Sequence, residues 1–187
     1  MSDDEIFDVF DENEVLIGQE RRSVVHRTGQ WHRSTNVLIF LQTDQDARSD
    51  ANLLLLQQRA ANKDVCPNLW DLSCAEHVKC GETYVDAAVR GVEEELGLSL
   101  APDRLRSLRD VAPFEYVDEA LGKRDREFNV SFSVAVSADE VAALRFDESE
   151  VAAVKWLRLS DVRALMQNDA SQFTPWCVRE LSLFFTQ

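Results

Sequence analysis

The 187-residue sequence contains little glycine and proline and no long apolar run. Six Gly and four Pro are too few for a disordered or fibrous chain, while 45% hydrophobic residues suffice for one sizeable core. The longest apolar runs, VLIF at 37–40 and LLLL at 53–56, are far too short to span a bilayer. These features predict a single globular domain over residues 1–187 that has no membrane partner.

Basic residues and paired cysteines are also scarce. Lys and Arg number 20 against 34 Asp and Glu, and the resulting net charge of −14 repels nucleic acids and anionic membranes. The four Cys form neither a CxxC motif nor a zinc-like spacing, and the acidic start MSDDEIFDVFDENE is unlike a signal or transit peptide. We therefore expect a cytoplasmic protein with reduced thiols and a small-molecule ligand, either monomeric or homodimeric.

Hydrophobic patterning predicts an α/β fold with a mixed sheet. Apolar segments at 36–42 and 53–58 predict a hairpin-like pair of strands, and the polar stretch 43–52 between them predicts a loop. Further strands are expected at about 5–30 and at 113–116, 127–136 and 151–157. Helices are expected at 160–167, with Ser160 as N-cap, and at about 174–185, with Thr174 as N-cap.

The clearest helix covers about 84–96. Its apolar side chains recur with a 3.6-residue period at Val85, Ala88, Val89, Val92 and Leu96. Gly97 follows as a plausible C-cap. Near the end of this helix, Glu94 and Glu95 repel each other and oppose the helix dipole. Carboxylates kept in such a position suit Mg²⁺ or Mn²⁺, so we expect this pair to bind a cation.

The stretch 81–98 resembles the Nudix box, Gly-x5-Glu-x7-Arg-Glu-U-x-Glu-Glu-x-Gly-U, in which U is aliphatic. Four of its five charged positions are matched, by Glu82, Arg90, Glu94 and Glu95. Two positions depart from the pattern, because Glu76 replaces the opening Gly and Gly91 replaces the Glu that follows the Arg. The resemblance implies an α/β/α sandwich and metal-dependent hydrolysis of a diphosphate bond in a small nucleoside- or prenyl-diphosphate compound. It makes Glu94 and Glu95 catalytic and gives Glu82 a metal-binding or loop-fixing role.

Segments outside the box are similar to the branch of the superfamily that contains type I isopentenyl-diphosphate isomerase. This resemblance implies a metal site formed by His26, His32, His77, Asp125 and Glu127. It also implies catalytic roles for Glu127 and Tyr116. For the diphosphate it implies binding by Arg22, Arg59 and Lys63.

The catalytic Cys of the isomerase has no counterpart in the sequence. Ala75 stands five residues after Trp70, where the resemblance places that Cys, and Cys74 comes one residue earlier. On an extended segment, a shift of one residue turns a side chain to the opposite face. This favours hydrolysis over isomerisation, although an isomerase and a weakly catalytic binding protein, favoured by Gly91, remain alternatives. The acceptor of the water proton is left open among Glu76, Glu95 and Glu127.

Overall fold

The computed structural model of the protein describes residues 5–41 and 49–186. Within these residues the strands are β1 (Ile6–Phe10), β2 (Leu16–Arg21), β3 (Trp31–Leu41), β4 (Leu53–Arg59), β5 (Trp70–Asp71), β6 (Cys74–His77), β7 (Arg106–Ser107), β8 (Ala112–Asp118), β9 (Lys123–Val136) and β10 (Val151–Arg158). The helices are α1 (Arg22–Thr28), α2 (Tyr84–Leu96), α3 (Ala138–Ala143), α4 (Leu159–Asn168) and α5 (Pro175–Thr186).

The strands form one mixed sheet around β3. This strand runs parallel to β9 along its whole length and antiparallel to β1, β4 and β6. The predicted pairing of β3 with β4 is confirmed by the partners Phe40 and Leu54. The register also sets His32 opposite Glu127 on β9, and Ser34 opposite His77 on β6. Residues that are far apart in the sequence therefore meet at one end of β3.

Helices cover both faces of the sheet. Because successive strand residues point to opposite faces, Val37 and Ile39 pack with α2, whereas Leu38 and Phe40 pack with α4 and α5. All four side chains are 2% exposed or less. This confirms the predicted α/β/α sandwich with a central mixed sheet.

Local signals account for the bounds of α2. The Thr83 hydroxyl accepts a hydrogen bond from the Asp86 backbone N–H, while the Asp86 carboxylate accepts one from the Thr83 N–H, which makes a capping box. Ala88, Val92 and Leu96 are fully buried against the sheet. The helix ends at Gly97, whose φ of 66° lies in the left-handed region that glycine adopts without strain.

Two predicted features differ in the structure. The region 5–30, expected to be extended, contains helix α1, whose closing turn is formed by Gly29. Ser160 is not the N-cap of α4, because the helix begins at Leu159 and the N-cap position falls on Arg158. Asp50, from the loop before β4, accepts hydrogen bonds from the backbone N–H and the hydroxyl of Ser160 and so stabilises that helix end from a distance.

Part of the hairpin predicted from the sequence lies outside the described residues. This part consists of Gln42, at the end of its first predicted strand, and residues 43–48 of its loop. None of the helices in the described ranges has the length and hydrophobicity that a bilayer-crossing segment requires.

Candidate active site

A cavity of about 230 Å³ opens on the sheet face that carries α5. It is lined by residues from α1, β3, β6, β8 and β9, from the end of β4 and the loop after it, from the loop before β10, and from the start of α5. Among the residues predicted from sequence, the lining includes Arg22, His26, Arg59, Lys63, His77, Tyr116, Asp125 and Glu127. One enclosed space thus brings together most of the predicted metal-binding, catalytic and diphosphate-binding side chains.

Four side chains converge at one end of this cavity. His26, His32, His77 and Asp125 each offer one ligand atom, and these four atoms lie within 4.8 Å of one another. The Oδ1 atom of Asp125 is 3.1 Å from Nε2 of His32 and 3.7 Å from Nε2 of His26. These residues come from α1, β3, β6 and β9, so only the folded sheet assembles the cluster.

The orientation and charge of the imidazole rings suit a cation. Nδ1 of His32 lies 3.0 Å from the Gln30 carbonyl oxygen. A carbonyl only accepts, so Nδ1 carries a proton and Nε2 is the ring nitrogen that faces the cluster. Burial acts to lower the pKa of His32, but the hydrogen bond with Asp125 and the charge of its carboxylate raise it above its usual value. Burial and the neighbouring His77 lower the pKa of His26 to about 2. Burial also holds the pKa of His77 well below its usual range.

Unpaired polar atoms test whether a metal ion fits here. Nε2 of His26, His32 and His77 and Oδ1 of Asp125 are all buried without a hydrogen bond of acceptable geometry. Orphaned buried polar atoms are costly and uncommon, and one cation would satisfy all four. Three imidazoles with a carboxylate suit Mn²⁺ and other transition metals better than Mg²⁺. The residues therefore fit the divalent metal that the resemblance implies.

Glu127 lies beside this cluster and lines the cavity. Its Oε1 is 3.2 Å from Nε2 of His77, and its Oε2 accepts a hydrogen bond of 2.8 Å from the Ser34 hydroxyl. Burial and the negative charge of Asp125 raise the pKa of Glu127 to about 7. The Ser34 contact fixes the carboxylate in a position that touches both the cluster and the open space.

Four cationic side chains line the same cavity, namely Arg22, Arg59, Lys63 and Lys123. Arg59 donates from Nε to the Val65 carbonyl and from Nη1 to Asp71, at 3.1 and 3.3 Å. Lys63 pairs with Glu150, and Arg22 lies 3.9 Å from Glu5. In a protein with a net charge of −14, these cations place donors for an anionic ligand in a cavity that carboxylates also line.

The two neighbouring carboxylates of α2, Glu94 and Glu95, lie in different surroundings. The Glu95 side chain is buried and accepts a hydrogen bond of 3.0 Å from Gln57, and burial together with the charge of Glu76 raises its pKa to about 7. The Glu94 side chain is 55% exposed and pairs with Arg90 at 3.2 Å. Among the described residues, neither Glu94 nor Glu95 lines the cavity, whereas Glu76 on β6 does. The two carboxylates therefore do not face one site together.

Arg90 organises the remaining carboxylates of the box. It pairs with Glu82 at 2.8 Å and with Glu76 at 3.0 Å, and it donates to the His77 carbonyl. Glu82 also accepts a hydrogen bond from the backbone N–H of Lys79. Glu82 thus holds the loop before α2 in place, which is one of the two roles that the sequence left open.

The strand β6 presents alanine, not cysteine, to the cavity. Ala75 lines the cavity, while Cys74 is fully buried on the opposite face, against α2. A Cβ atom built on Gly91 would lie 2.9 Å from the Cys74 sulfur and 3.0 Å from the Glu76 Cβ. The thiol is therefore enclosed between β6 and the helix, as the one-residue shift predicts.

Several lining residues were not assigned to the site from the sequence. Trp176, at the start of α5, lines the cavity and donates its indole N–H to Asp71. Ser34 and Asn36 form polar positions of the cavity wall. Tyr116 does line the cavity as expected, and burial raises its pKa to about 12. Isolated polar residues in an apolar strand were the available signal for Ser34 and Asn36.

Comparison with known proteins agrees with this fold. The family model of the NUDIX domain matches residues 30–177, and the chain belongs to the Nudix family. Nudix hydrolase 3 of Arabidopsis thaliana is 32% identical over 181 residues, which make up 94% of this chain and 22% of that protein. An isopentenyl-diphosphate Delta-isomerase of Nocardia farcinica is 32% identical over 157 residues, or 83% of this chain and 79% of that protein.

The coverage differs among relatives. An uncharacterized Nudix hydrolase of Clostridium acetobutylicum is 28% identical over 166 residues, or 89% of this chain and 76% of that protein. The chain thus spans about a fifth of the length of the plant relative and about three quarters of that of the two bacterial ones.

Solved structures support the same fold. DR0079 from Deinococcus radiodurans superposes with a TM-score of 0.62 at 23% identity, covering 88% of this chain and 90% of that one. A MutT protein from Methanosarcina mazei gives a TM-score of 0.57 at 18% identity, covering 83% and 93%. At these identities the likeness defines the fold alone.

Proposed function

We propose that this protein is a cation-dependent hydrolase that cleaves a diphosphate bond in a small organic compound. One observation carries the proposal: a single cavity joins the cluster of His26, His32, His77 and Asp125 to the cationic side chains of Arg22, Arg59 and Lys63. The first group suits a divalent cation and the second suits phosphate oxygens. Their combination matches a substrate that carries several adjacent negative charges.

The cation-binding residues are His26, His32, His77 and Asp125, with Glu127 beside them. Mg²⁺ and Mn²⁺ are the candidate ions, and the imidazole donors favour Mn²⁺. When bound, such an ion supplies Lewis acidity at the phosphorus and lowers the pKa of water. Glu76 lines the cavity and offers further carboxylate oxygens there. The buried Glu95 accepts a hydrogen bond from Gln57, and the exposed Glu94 acts through its pairing with Arg90.

The chain's own side chains bind the substrate and move the proton. The planar guanidinium of Arg59 can donate two hydrogen bonds to phosphate oxygens. The ammonium of Lys63 can bind them once its ion pair with Glu150 is broken. Arg22 adds a third positive charge. Glu127, oriented by Ser34, accepts the proton of the attacking water. Tyr116 stays neutral because its pKa is about 12, so it can donate a hydrogen bond to a phosphate oxygen.

Isomerisation of isopentenyl diphosphate is the second candidate, because isomerases are among the relatives. It is disfavoured because Ala75 offers a methyl group where the isomerase uses a thiol, and Cys74 is enclosed on the other side of the strand. Moving a carbon–carbon double bond requires an acid and a base on opposite sides of the substrate. Hydrolysis requires only one proton acceptor near the phosphorus.

A substrate panel tests the proposal. The purified protein is incubated with Mn²⁺ or Mg²⁺ and with dinucleotides, nucleotide sugars, nucleoside triphosphates and prenyl diphosphates. We expect release of phosphate or a monophosphate, and loss of at least tenfold of this activity in Arg59→Ala, roughly the cost of one charged hydrogen bond. The matched control is Arg27→Ala, which removes an exposed arginine outside the cavity.

The other outcomes discriminate between the alternatives. Conversion of isopentenyl diphosphate to dimethylallyl diphosphate without release of phosphate would replace the hydrolase assignment by the isomerase. Tight binding of a panel compound with either cation, but no turnover, would instead indicate a binding protein on a Nudix scaffold.

A further inference from the structure

An ion pair joins two loops at the rim of the cavity. The ammonium of Lys123, at the start of β9, lies 3.2 Å from Oδ2 of Asp64, in the loop after β4. Both residues line the cavity, and the Asp64 side chain is largely exposed, so the pair lies where the cavity opens to solvent. One positive charge of the lining is thus held at the rim by an acid from another loop.

Lys123 is aligned with the metal-binding cluster along β9. It precedes Asp125 by two residues, and alternate residues of a strand point to the same face. Both side chains accordingly line the cavity. Two residues of a strand span about 7 Å, which is comparable with the length of a lysine side chain. An anion held by a cation at the cluster therefore lies within reach of the Lys123 ammonium.

The ion pair of Lys123 is the most exposed of those that hold the four cations of the lining in the described part of the chain. The partners of Arg22, Arg59 and Lys63 are acids whose side chains are at most 18% exposed. The Asp64 side chain is 74% exposed. Exposed ion pairs contribute little to stability because water solvates both charges well when they separate. Lys123 is therefore the cation that changes its partner most easily.

Asp64 competes with an anionic ligand for this ammonium. A phosphate oxygen carries negative charge and accepts the same charge-assisted hydrogen bonds as a carboxylate. The exchange breaks one ion pair and forms another, and it requires no transfer of a proton. The long, flexible side chain of lysine allows its ammonium to move from one partner to the other.

We infer that Lys123 is a further anion-binding residue of the cavity, which Asp64 holds at the rim until a phosphate group of the substrate replaces its carboxylate. This inference rests on the proposed function and adds to it a binding residue and a contact that opposes binding. It has a specific consequence. Removal of the Asp64 charge should tighten the binding of a diphosphate, but only while Lys123 is present.

Binding of pyrophosphate with Mn²⁺, measured by calorimetry on the full chain, tests this inference. Lys123→Gln should bind it about tenfold more weakly, as expected for the loss of a hydrogen bond from a charged group. Asp64→Asn should bind it about threefold more tightly, in line with the strength of an exposed ion pair. A gain in affinity does not arise from a misfolded variant. Glu119→Gln is the matched control and should change nothing, because it removes a negative charge from the turn between β8 and β9, outside the cavity lining.

The double variant Asp64→Asn/Lys123→Gln separates a specific contact from a general effect of charge. If Asp64 acts through Lys123, the two substitutions are coupled, and the double variant should bind pyrophosphate as weakly as Lys123→Gln alone. If the gain from Asp64→Asn persists in full without Lys123, the carboxylate merely repels the ligand and the inference is wrong.

The remaining outcomes distinguish this inference from the proposed function. If the wild type binds pyrophosphate with Mn²⁺ but Lys123→Gln binds it equally well, Lys123 does not bind the anion and the proposed function stands. The same holds if Asp64→Asn binds it no more tightly than Glu119→Gln, because Asp64 then does not compete with the ligand. If the wild type does not bind pyrophosphate with Mn²⁺, both the proposed function and the inference fail.

Discussion

The carboxylate of Asp71 accepts the indole N–H of Trp176 through both of its oxygens, at 2.7 and 2.9 Å. Asp71 is fully buried and also accepts hydrogen bonds from the Thr174 hydroxyl and from Arg59. One side chain in β5 thus anchors the start of α5 and orients the guanidinium that faces the cavity. The sequence offered no sign of this connection, although it links two of the cavity-lining residues.

Asp71→Asn tests whether this anchor positions Arg59. Asparagine keeps the shape but removes the buried negative charge, so we expect weaker pyrophosphate binding, by roughly tenfold, and a loss of about 3 kcal/mol in the free energy of unfolding. Calorimetry and urea denaturation measure the two effects, and the exposed Asp103→Asn serves as control. A variant that loses stability yet binds pyrophosphate normally would contradict the positioning role.

The histidine cluster should bind a metal ion without any substrate. His77→Asn removes one of its ligands, so we expect the Mn²⁺ affinity measured by calorimetry to fall at least tenfold, since even residues that merely support ligands contribute about 10–100-fold. Glu115→Gln is a matched control, because this carboxylate lies on β8 and pairs with Arg126 outside the cluster. Equal Mn²⁺ affinity in both variants would rule out the proposed centre.

Gly91→Ala should destabilise the protein, although alanine ordinarily stabilises a helix relative to glycine by about 1 kcal/mol. The added Cβ would lie 2.9 Å from the Cys74 sulfur, and such overpacking costs about 1–3 kcal/mol. At Gly18 an added Cβ lies 3.6 Å from the Val9 side chain, so Gly18→Ala is the control. Thermal unfolding measures the stability of both variants. If Gly91→Ala were more stable than the wild type, the space beside the Cys74 sulfur would be large enough for the added methyl group.

The acid dependence of stability should include a contribution from Glu140. Its hydrogen bonds with Arg104 and with the Ser137 backbone lower its pKa from 4.5 to about 2. A lowered carboxylate pKa stabilises the fold at pH above 4.5, and this stabilisation is lost as the pH falls towards 2. Because the side chain is partly exposed, we expect about 1 kcal/mol.

Glu140→Gln should therefore be less stable than the wild type at pH 7, and the difference should vanish near pH 2. Urea denaturation at several pH values measures it. Asp139→Asn, which alters the exposed neighbouring residue in α3, should show a smaller difference at pH 7. A constant difference between the wild type and Glu140→Gln across this range would exclude the electrostatic origin.

Much of the candidate site was predictable because the resemblance to a known family points to individual residues, even though the sequence does not show where they lie in space. The three histidines and Asp125 were named from their positions in the sequence, and the structure brings them within 4.8 Å. Glu94 and Glu95 were treated as equivalent because they are neighbours in a motif. Their difference arises from the packing of α2 on the sheet, which buries Glu95 beside Gln57 and leaves Glu94 at the surface.

The sequence by itself determined what depends on neighbouring residues. The period of apolar side chains, the Thr83 cap and the final Gly97 define α2, because helix formation and capping involve contacts only a few residues apart. Only the tertiary structure decided which polar groups share the cavity. Asp71 meets Trp176 across 105 positions and Ser34 meets Glu127 across 93, and such encounters follow from strand register and helix packing, which no local pattern encodes.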